Sequence, residues 1–332
     1  MSVPSILFGA LPSLFFSQLF VTPKTPQTDC SGKTIIVTGG NTGLGKEAAR
    51  HFVRLGAAKV ILGCRSLSKG EEAKRDIEQS TRRTGVVEVW AIDLADYASV
   101  QAFARKAEGL ERLDAVLENA GVNTQKFKLV DGIETNLQIN VVSTFLLALL
   151  MIPKLRADGR KFNFTPTLVI VTSELHAFTA FKEHKEAHIF DTLNDEKKAN
   201  MGGRYPISKL LEVFACRQIA KEHPVRQLGC IISLVNPGWC HSELARELIT
   251  PVVKFVMNIM CRTTEVGSRT LVDATVSHGS EVHGQYLSDQ KAKPVAPLVQ
   301  GKGGAEIQMH VWQELAEKLE HIQPGILRNL DR

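Results

Sequence analysis

The sequence predicts a single doubly wound α/β domain, with a parallel sheet of about seven strands and helices on both faces. Three observations predict it. Short apolar runs alternate with longer segments whose apolar residues recur at helical spacing, the pattern of βαβ units. The runs "VILG", "LVIV" and "CIISLV" are nearly continuous in apolar residues, as strands buried on both faces must be. The first run, "TIIV", leads directly into "TGGNTGLG", a crowd of glycines at the start of a helical pattern. The 332 residues suffice for one such unit with insertions, and 44% apolar against 23% charged residues is an ordinary globular make-up.

The elements follow in order. Residues 5–21, "SILFGALPSLFFSQLFV", are 17 uncharged and mostly apolar positions interrupted by Pro12. That length is the lower limit of a membrane span. No basic stretch precedes it, which argues against a secretory signal. Two readings stay open: a helix or extended arm packed on the domain, and a membrane-surface anchor. Residues 1–30 are this apolar segment and a linker rich in Pro and Thr; residues 31–325 are the domain. In the domain, "KTIIVTG" is the first strand and "GLGKEAARHFVRLG" a helix closing at Gly56. "AKVILGCR" and "SKGEEAKRDIEQSTRR" are the second strand and helix, and "VVEVWAIDL" and "ADYASVQAFARKAEGL" the third. "LDAVLENAG" is a fourth strand and turn, followed by the long helix "GIETNLQINVVSTFLLALLMIPKL". "PTLVIVTS" is the fifth strand, "YPISKLLEVFACRQIAKEH" a helix, "GCIISLVNPG" the sixth strand and "GQYL" a short seventh. "GAEIQMHVWQELAEKLEHI" is the last helix.

Net charge is +5, and the 40 Lys and Arg are spread along the chain without a basic tract, so no nucleic-acid partner is expected. The six cysteines (Cys30, Cys64, Cys216, Cys230, Cys240 and Cys261) form no C-x-x-C pair and no Cys/His cluster with metal-ligand spacing. They read as reduced thiols of a cytoplasmic protein, either free or attached to a membrane through residues 5–21, and no metal is expected.

A strand, then closely spaced glycines, then a helix N-terminus is the geometry that holds a pyrophosphate on backbone N–H groups. Here the glycines are Gly39, Gly43 and Gly45, not the commoner G-x-G-x-x-G. An NAD site usually has an acid about 20 residues further on to bind the ribose 2′-hydroxyl. This chain instead ends its second strand "LGCRS", with Arg65 there and Lys69 nearby. Cations in that place suit a 2′-phosphate, hence NADP(H).

Tyr205 and Lys209 in "YPISK" are i and i+4, on one face if a helix opens there. A neighbouring ammonium favours the phenolate, so the pair could exchange a proton with an alcohol or alkoxide. Ser173 ends the fifth strand, and Asn140 interrupts the apolar stripe of the long helix, where a buried amide needs partners.

With these motifs in this order over residues 32–242, the chain resembles the short-chain dehydrogenase/reductase family, a Rossmann-fold family. "DGIE", "GCRS" and "VWQELAEKLE" are similar to its retinol-dehydrogenase-like branch, especially to reductases of fungal biosynthetic pathways. The resemblance implies that Tyr205 is the proton donor or acceptor. Lys209 would bind the nicotinamide ribose and lower the Tyr205 pKa, Ser173 would hydrogen-bond the substrate oxygen, and Asn140 would hold a relay water. Gly39, Leu44 and Gly45 would line the pyrophosphate, with Asn41, Thr42 and Gly43 in the same loop. Arg65, with Lys69, would meet the 2′-phosphate. Asp93 and Leu94 would face the adenine, and Asn119, Ala120 and Gly121 its ribose side. Pro237, Gly238 and Ser242 form the loop after the sixth strand.

The activity implied is NADP(H)-dependent interconversion of a carbonyl and an alcohol on a small, apolar organic substrate, in secondary-metabolite biosynthesis, by a chain that can form homo-oligomers. A membrane-associated retinol or lipid alcohol dehydrogenase is the alternative; a non-catalytic NADP(H)-binding module would have no reason to keep all four catalytic residues. The chain departs from the family at Glu118, where a first asparagine is common. The Ser173–Tyr205 spacing is also lengthened. Residues 176–204, with His176, His184 and His188, read as a solvated lid, and residues 240–264 as a substrate cap. Pro206 is placed in the first turn of its helix, where proline is tolerated.

Overall fold

Every long strand sends alternate residues into two different cores. In the computed structural model, which describes residues 11–241 and 260–331, Ile35 and Val37 join one apolar cluster and Ile36, between them, the other. The same split separates Val60 and Leu62 from Ile61, and Ile231 and Val235 from Ile232 and Leu234. Successive side chains of a strand point to opposite faces, so unbroken apolar runs are what a sheet covered on both sides requires.

The first described element is α1 (Leu11–Phe20). Then β1 (Thr34–Thr38), α2 (Gly43–Arg54), β2 (Lys59–Cys64), α3 (Leu67–Thr81), β3 (Val87–Ala91), α4 (Tyr97–Glu108) and β4 (Ala115–Glu118) form the first half. A small antiparallel hairpin, β5 (Leu129–Val130) and β6 (Ile133–Glu134), precedes the long helix. That helix begins at Thr135, passes through a π-helical segment at Gln138–Ser143 and continues as α5 (Thr144–Phe162). The second half is β7 (Thr167–Val171), α6 (Met201–Glu222), β8 (Ile231–Asn236), α7 (Thr264–Val276), β9 (Tyr286–Ser288), β10 (Lys291–Ala292) and α8 (Gly304–Ile322). The sheet order is β10-β9-β8-β7-β4-β1-β2-β3, parallel except for β10. α2, α3 and α7 cover one face; α4, α5, α6 and α8 cover the other.

The doubly wound fold is the one the sequence predicts, with eight strands in place of about seven. The added strand is β10, two residues folded back on β9 by Asp289 and Gln290, both at positive φ (53° and 62°). Two such residues make the tight turn whose twist suits a hairpin.

Residues 5–10 of the apolar N-terminal segment lie outside the described residues. From Leu11 it is a helix, held to the domain by polar side chains. Ser17 Oγ donates to Asp289 Oδ2 (2.6 Å), and Gln18 Nε2 donates to the carbonyls of Trp239 (2.6 Å) and Met260 (2.8 Å). Arg262 Nη2 donates to the carbonyls of Ser17 and Val21 and to Asp289 Oδ1. Phe16, Leu19 and Phe20 face outward, 62%, 51% and 73% exposed. Among the described residues, the helix long and apolar enough to cross a membrane is Thr135–Phe162, and its apolar window is 89% buried inside the protein.

Residues 176–204 are less solvated than expected. Phe181, Ile189, Phe190 and Leu193 are buried in the main core. Glu314 of α8 accepts the N–H groups of Ile189 and Phe190 (2.7 and 3.0 Å). His176 is also core: its ring accepts the Ala296 N–H (3.1 Å), approaches the Ser173 carbonyl (2.7 Å), and burial lowers its pKa to about 4. His184 is half-buried and His188 exposed. Of the expected cap, residues 242–259 lie outside the described residues, and its two ends meet in a bridge between Cys240 and Arg262.

Candidate active site

The carboxyl ends of parallel strands are where ligands bind in open α/β sheets. β1, β2, β3, β4, β7 and β8 bring to that edge the glycine loop, Arg65, Asp93, Asn119–Gly121, Ser173 and Pro237–Gly238 respectively. Ser242, also expected there, lies outside the described residues.

The glycine loop is shaped by contact with the β4 turn. Thr38 Oγ1 accepts the N–H groups of Asn119 and Ala120 (both 3.0 Å), and Asn119 Nδ2 donates to the Thr38 carbonyl (2.9 Å). Gly39 has φ +66°, and a Cβ there would lie 2.9 Å from Asn119 Nδ2 and 3.1 Å from Ala120 Cα. A Cβ at Gly45 would lie 2.5 Å from both Asn119 Nδ2 and the Gly39 oxygen. Gly43, at φ +55°, faces open space. Asn119 thus has a job the sequence did not suggest: its amide clamps the loop rather than reaching outward. α2 starts from Thr42 with no acidic residue in its first turn, so its N-terminal N–H groups carry no competing carboxylate. Asn41 and Leu44 are half-buried in this loop. Leu44 also packs against α7: a Cβ on Gly267 would come within 2.9 Å of Leu44 Cδ2.

Beyond β2, Arg65 and Lys69 are exposed, and among the described residues no carboxylate is within ion-pair distance of either. Ser66 caps α3 by accepting the Lys69 N–H (3.4 Å). Asp93 is half-buried, its carboxylate accepting the Ala95 N–H (3.0 Å), and Leu94 is buried. Pro237 and Gly238 are held from behind: Arg262 Nη1 donates to the Pro237 carbonyl (3.3 Å), Gln18 Oε1 accepts the Trp239 N–H (3.1 Å), and Gly238 has φ +79°.

The four expected catalytic residues converge. Asn140 sits in the π-helical segment, a feature common at functional sites. Its amide is fully engaged: Oδ1 accepts the Val122 N–H (2.9 Å), and Nδ2 donates to the Val122 carbonyl (2.9 Å) and to Ser208 Oγ (3.0 Å). That answers why an amide interrupts an apolar stripe. Gly121 is where β4 meets this helix, since a Cβ there would lie 3.2 Å from Asn140 Oδ1 and 3.8 Å from Lys209 Nζ. Lys209 Nζ stands 5.6 Å from the Tyr205 ring centroid, and the Ser173 hydroxyl interacts with the Tyr205 phenol. Lys209 Nζ donates to the Val171 carbonyl (2.9 Å) and to Glu212 Oε1 (2.7 Å).

Two expectations need correction. α6 begins at Met201, so Pro206 lies in its second turn, not its first; the glycines Gly202 and Gly203 read as loop but are helical. And the net push on the Tyr205 pKa is upward: burial raises it, Lys209 lowers it, Glu212 raises it again and Ser173 lowers it. The ammonium acts with the expected sign, but desolvation of the charged form is larger.

Glu212 was not foreseen. It reads as an ordinary polar position one turn past Lys209, yet it is buried and ion-paired. Its spacing from Lys209, i to i+3, was the available signal.

Comparison with known proteins gives four findings. A family model described as "short chain dehydrogenase" matches residues 33–182. A short chain dehydrogenase/reductase, dmxR8, of Cryptosporiopsis sp. is 46% identical over 95% of this chain and 98% of its own. A short chain dehydrogenase, atnD, of Emericella nidulans is 47% identical over 83% of this chain and 90% of its own. Among solved structures, a putative NAD(P)-dependent gluconate 5-dehydrogenase from Beutenbergia cavernae with bound NADP superposes with TM-score 0.61 at 21% identity, covering 80% of this chain and 97% of that one.

Proposed function

We propose, from the premise that this chain belongs to the short-chain dehydrogenase/reductase family, that it interconverts a carbonyl and an alcohol of a small apolar substrate with NADP(H), in a fungal biosynthetic pathway. The observation that carries the reading is the convergence of Tyr205, Lys209, Ser173 and Asn140 at the carboxyl edge of the sheet, beside a glycine loop that leaves no room for side chains at Gly39 and Gly45. The NADP bound in the Beutenbergia structure and the fungal origin of the relatives support it.

The dinucleotide supplies or accepts the hydride. The residues of this chain do the rest. The loop from Gly39 to Gly45 and the N-terminus of α2 fit a pyrophosphate, and Arg65 with Lys69 fits a 2′-phosphate. Asp93 and Leu94 flank the adenine end. Lys209 holds the nicotinamide ribose side and opposes the loss of phenolate character at Tyr205. Ser173 donates to the substrate oxygen, and Tyr205 gives it a proton in reduction or takes one in oxidation. Asn140, its side chain spent on Val122 and Ser208, holds the π-helical segment whose backbone serves the relay water.

Fluorescence titration with NADPH and with NADH tests the cofactor. Tight NADPH and weak NADH binding is expected. Arg65→Ala should weaken NADPH about 10–100-fold, the loss of a charge-assisted hydrogen bond of about 1.5–3 kcal/mol, and leave NADH unchanged. Equal losses for both would remove the 2′-phosphate assignment.

The outward Phe16, Leu19 and Phe20 of α1 fit a membrane-surface contact. Co-sedimentation with phosphatidylcholine vesicles should fall in the Phe16→Ser, Phe20→Ser double variant; identical sedimentation of the two proteins would sink that contact.

A further inference from the structure

Beside Glu212, the ion-pair partner of Lys209, lies a second carboxyl that the reaction as described does not use. Glu118 closes β4 and is 3% exposed. Val116, two residues earlier, faces the core under α6, while Ala115 and Leu117 face the other. Strand alternation therefore points Glu118 toward α6, where Glu212 is 1% exposed. Each carboxyl keeps one oxygen without a hydrogen-bond partner among the described residues, Glu118 Oε1 and Glu212 Oε2. The other Glu212 oxygen takes the Lys209 ammonium at 2.7 Å. The groups that face Glu212 are Lys209, Tyr205 and Cys216 from its own helix, Glu118 from β4 and the Thr172 hydroxyl just after β7.

Two neighbouring buried carboxyls, of which Glu212 alone meets an ammonium, cannot both ionise cheaply. Glu212 has the direct ion pair; Glu118 has only burial and the charge of Glu212, and both push its pKa well up. Burial lifts Glu212 as well, to about 7, with Lys209 opposing the rise, but it lifts Glu118 further, so the proton belongs first to Glu118 and the ammonium draws the negative charge to Glu212. That charge keeps Lys209 protonated, and it opposes ionisation of Tyr205.

We propose that Glu212 is a positioning residue for the Tyr205–Lys209 couple, with Glu118 as its protonated companion, and that the pair holds Tyr205 in the proton-donating form that carbonyl reduction requires. The inference rests on the oxidoreductase reading for its purpose, but not for its test. It also gives a physical reason for the acid at position 118, where the resemblance leads one to expect asparagine.

The chain has three tyrosines, Tyr97, Tyr205 and Tyr286. Burial pushes the pKa of all three up, Tyr97 and Tyr286 included. Phenolate absorbance against pH, with Tyr205→Phe as the subtraction control, isolates Tyr205 without cofactor or substrate. Glu212→Gln keeps the shape and removes the charge, so the Tyr205 titration is expected to move down by about one pH unit. Burial also lifts Glu174 and Glu212 to about 7, so the infrared readout is the difference between wild type and Glu118→Gln near neutral pH, which is expected to show the loss of one protonated-carboxyl component. That variant should leave the Tyr205 titration in place.

An unshifted Tyr205 titration in folded Glu212→Gln overturns the proposal. A difference spectrum in which Glu118→Gln loses no carboxyl band also overturns it, and this arm decides if Glu212→Gln does not fold. Both arms are independent of the NADPH titration. Failure there with success here would remove the NADP(H) assignment and leave the acid pair standing.

Discussion

Replacing Tyr205 by phenylalanine is expected to lower kcat for a carbonyl probe about 10²–10⁴-fold, the usual worth of a positioned acid–base group, while NADPH affinity stays unchanged. The argument begins with burial. Tyr205 is 7% exposed, and its pKa is raised above the ordinary tyrosine value even with Lys209 5.6 Å from the ring centroid. At neutral pH the group is therefore a phenol, able to donate. An alkoxide forming beside it takes the proton, and Lys209 and the Ser173 hydroxyl stabilise the phenolate left behind. Phenylalanine keeps the ring, its packing and the helix, so the loss falls on kcat. The sign of the pH dependence follows. Reduction needs the protonated form, so its rate is flat at low pH and falls as pH rises through the Tyr205 pKa. Oxidation needs the phenolate, and its rate rises over the same range. Undiminished turnover in the variant would falsify the proton-donor role.

The same residue shows what the sequence could and could not reveal. Tyr205 and Lys209 were legible because helical spacing alone puts i and i+4 on one face. The strands were legible because each is a short apolar run, and the cofactor edge because its glycines follow the first of them. The start of α6 was not legible: "NMGGR" has the composition of a loop, and tertiary contacts draw it into the helix. Arg204, buried there, faces Glu134 at 3.8 Å. The insertion before it read as solvated from its lysines, acids and histidines, while Phe181, Ile189 and Phe190 carried its anchoring. Nor could the sequence reveal contacts between distant positions. Gln18 and Ser17 meet Trp239, Met260 and Asp289 across more than 200 residues, so a segment judged on its apolar character docks through its polar side chains. Glu118 was visible as a departure, but its meaning depends on Glu212, which lies in a different element and is polar for reasons no local pattern carries.

Gly45→Ala is expected to have the second largest effect, and on binding more than on chemistry. The φ of Gly45 is not positive, so backbone strain is not the issue. Space is. The added methyl would lie 2.5 Å from Asn119 Nδ2, 2.5 Å from the Gly39 oxygen and 3.0 Å from the Gly39 carbonyl carbon. None of these can step aside cheaply. Gly39 is backbone, tied by its N–H to the Gly63 carbonyl (2.7 Å), and the Asn119 amide is tied to the Thr38 carbonyl (2.9 Å). To admit the methyl, α2 must move away from the β4 turn, which opens the loop that fits the pyrophosphate. Overpacking of this kind costs about 1–3 kcal/mol of stability, and the same amount lost from the binding geometry is about 10–100-fold in affinity. Gly43→Ala separates the two causes. Its methyl meets nothing within 4 Å, so its stability cost is that of the positive φ alone, about 1–2 kcal/mol. Thermal melts and NADPH titrations on both variants read the difference. A Gly45→Ala protein that melts with the wild type and binds NADPH as tightly would mean that the loop yields where the packing says it cannot, and the close approach of α2 to the β4 turn would lose its role in shaping the site.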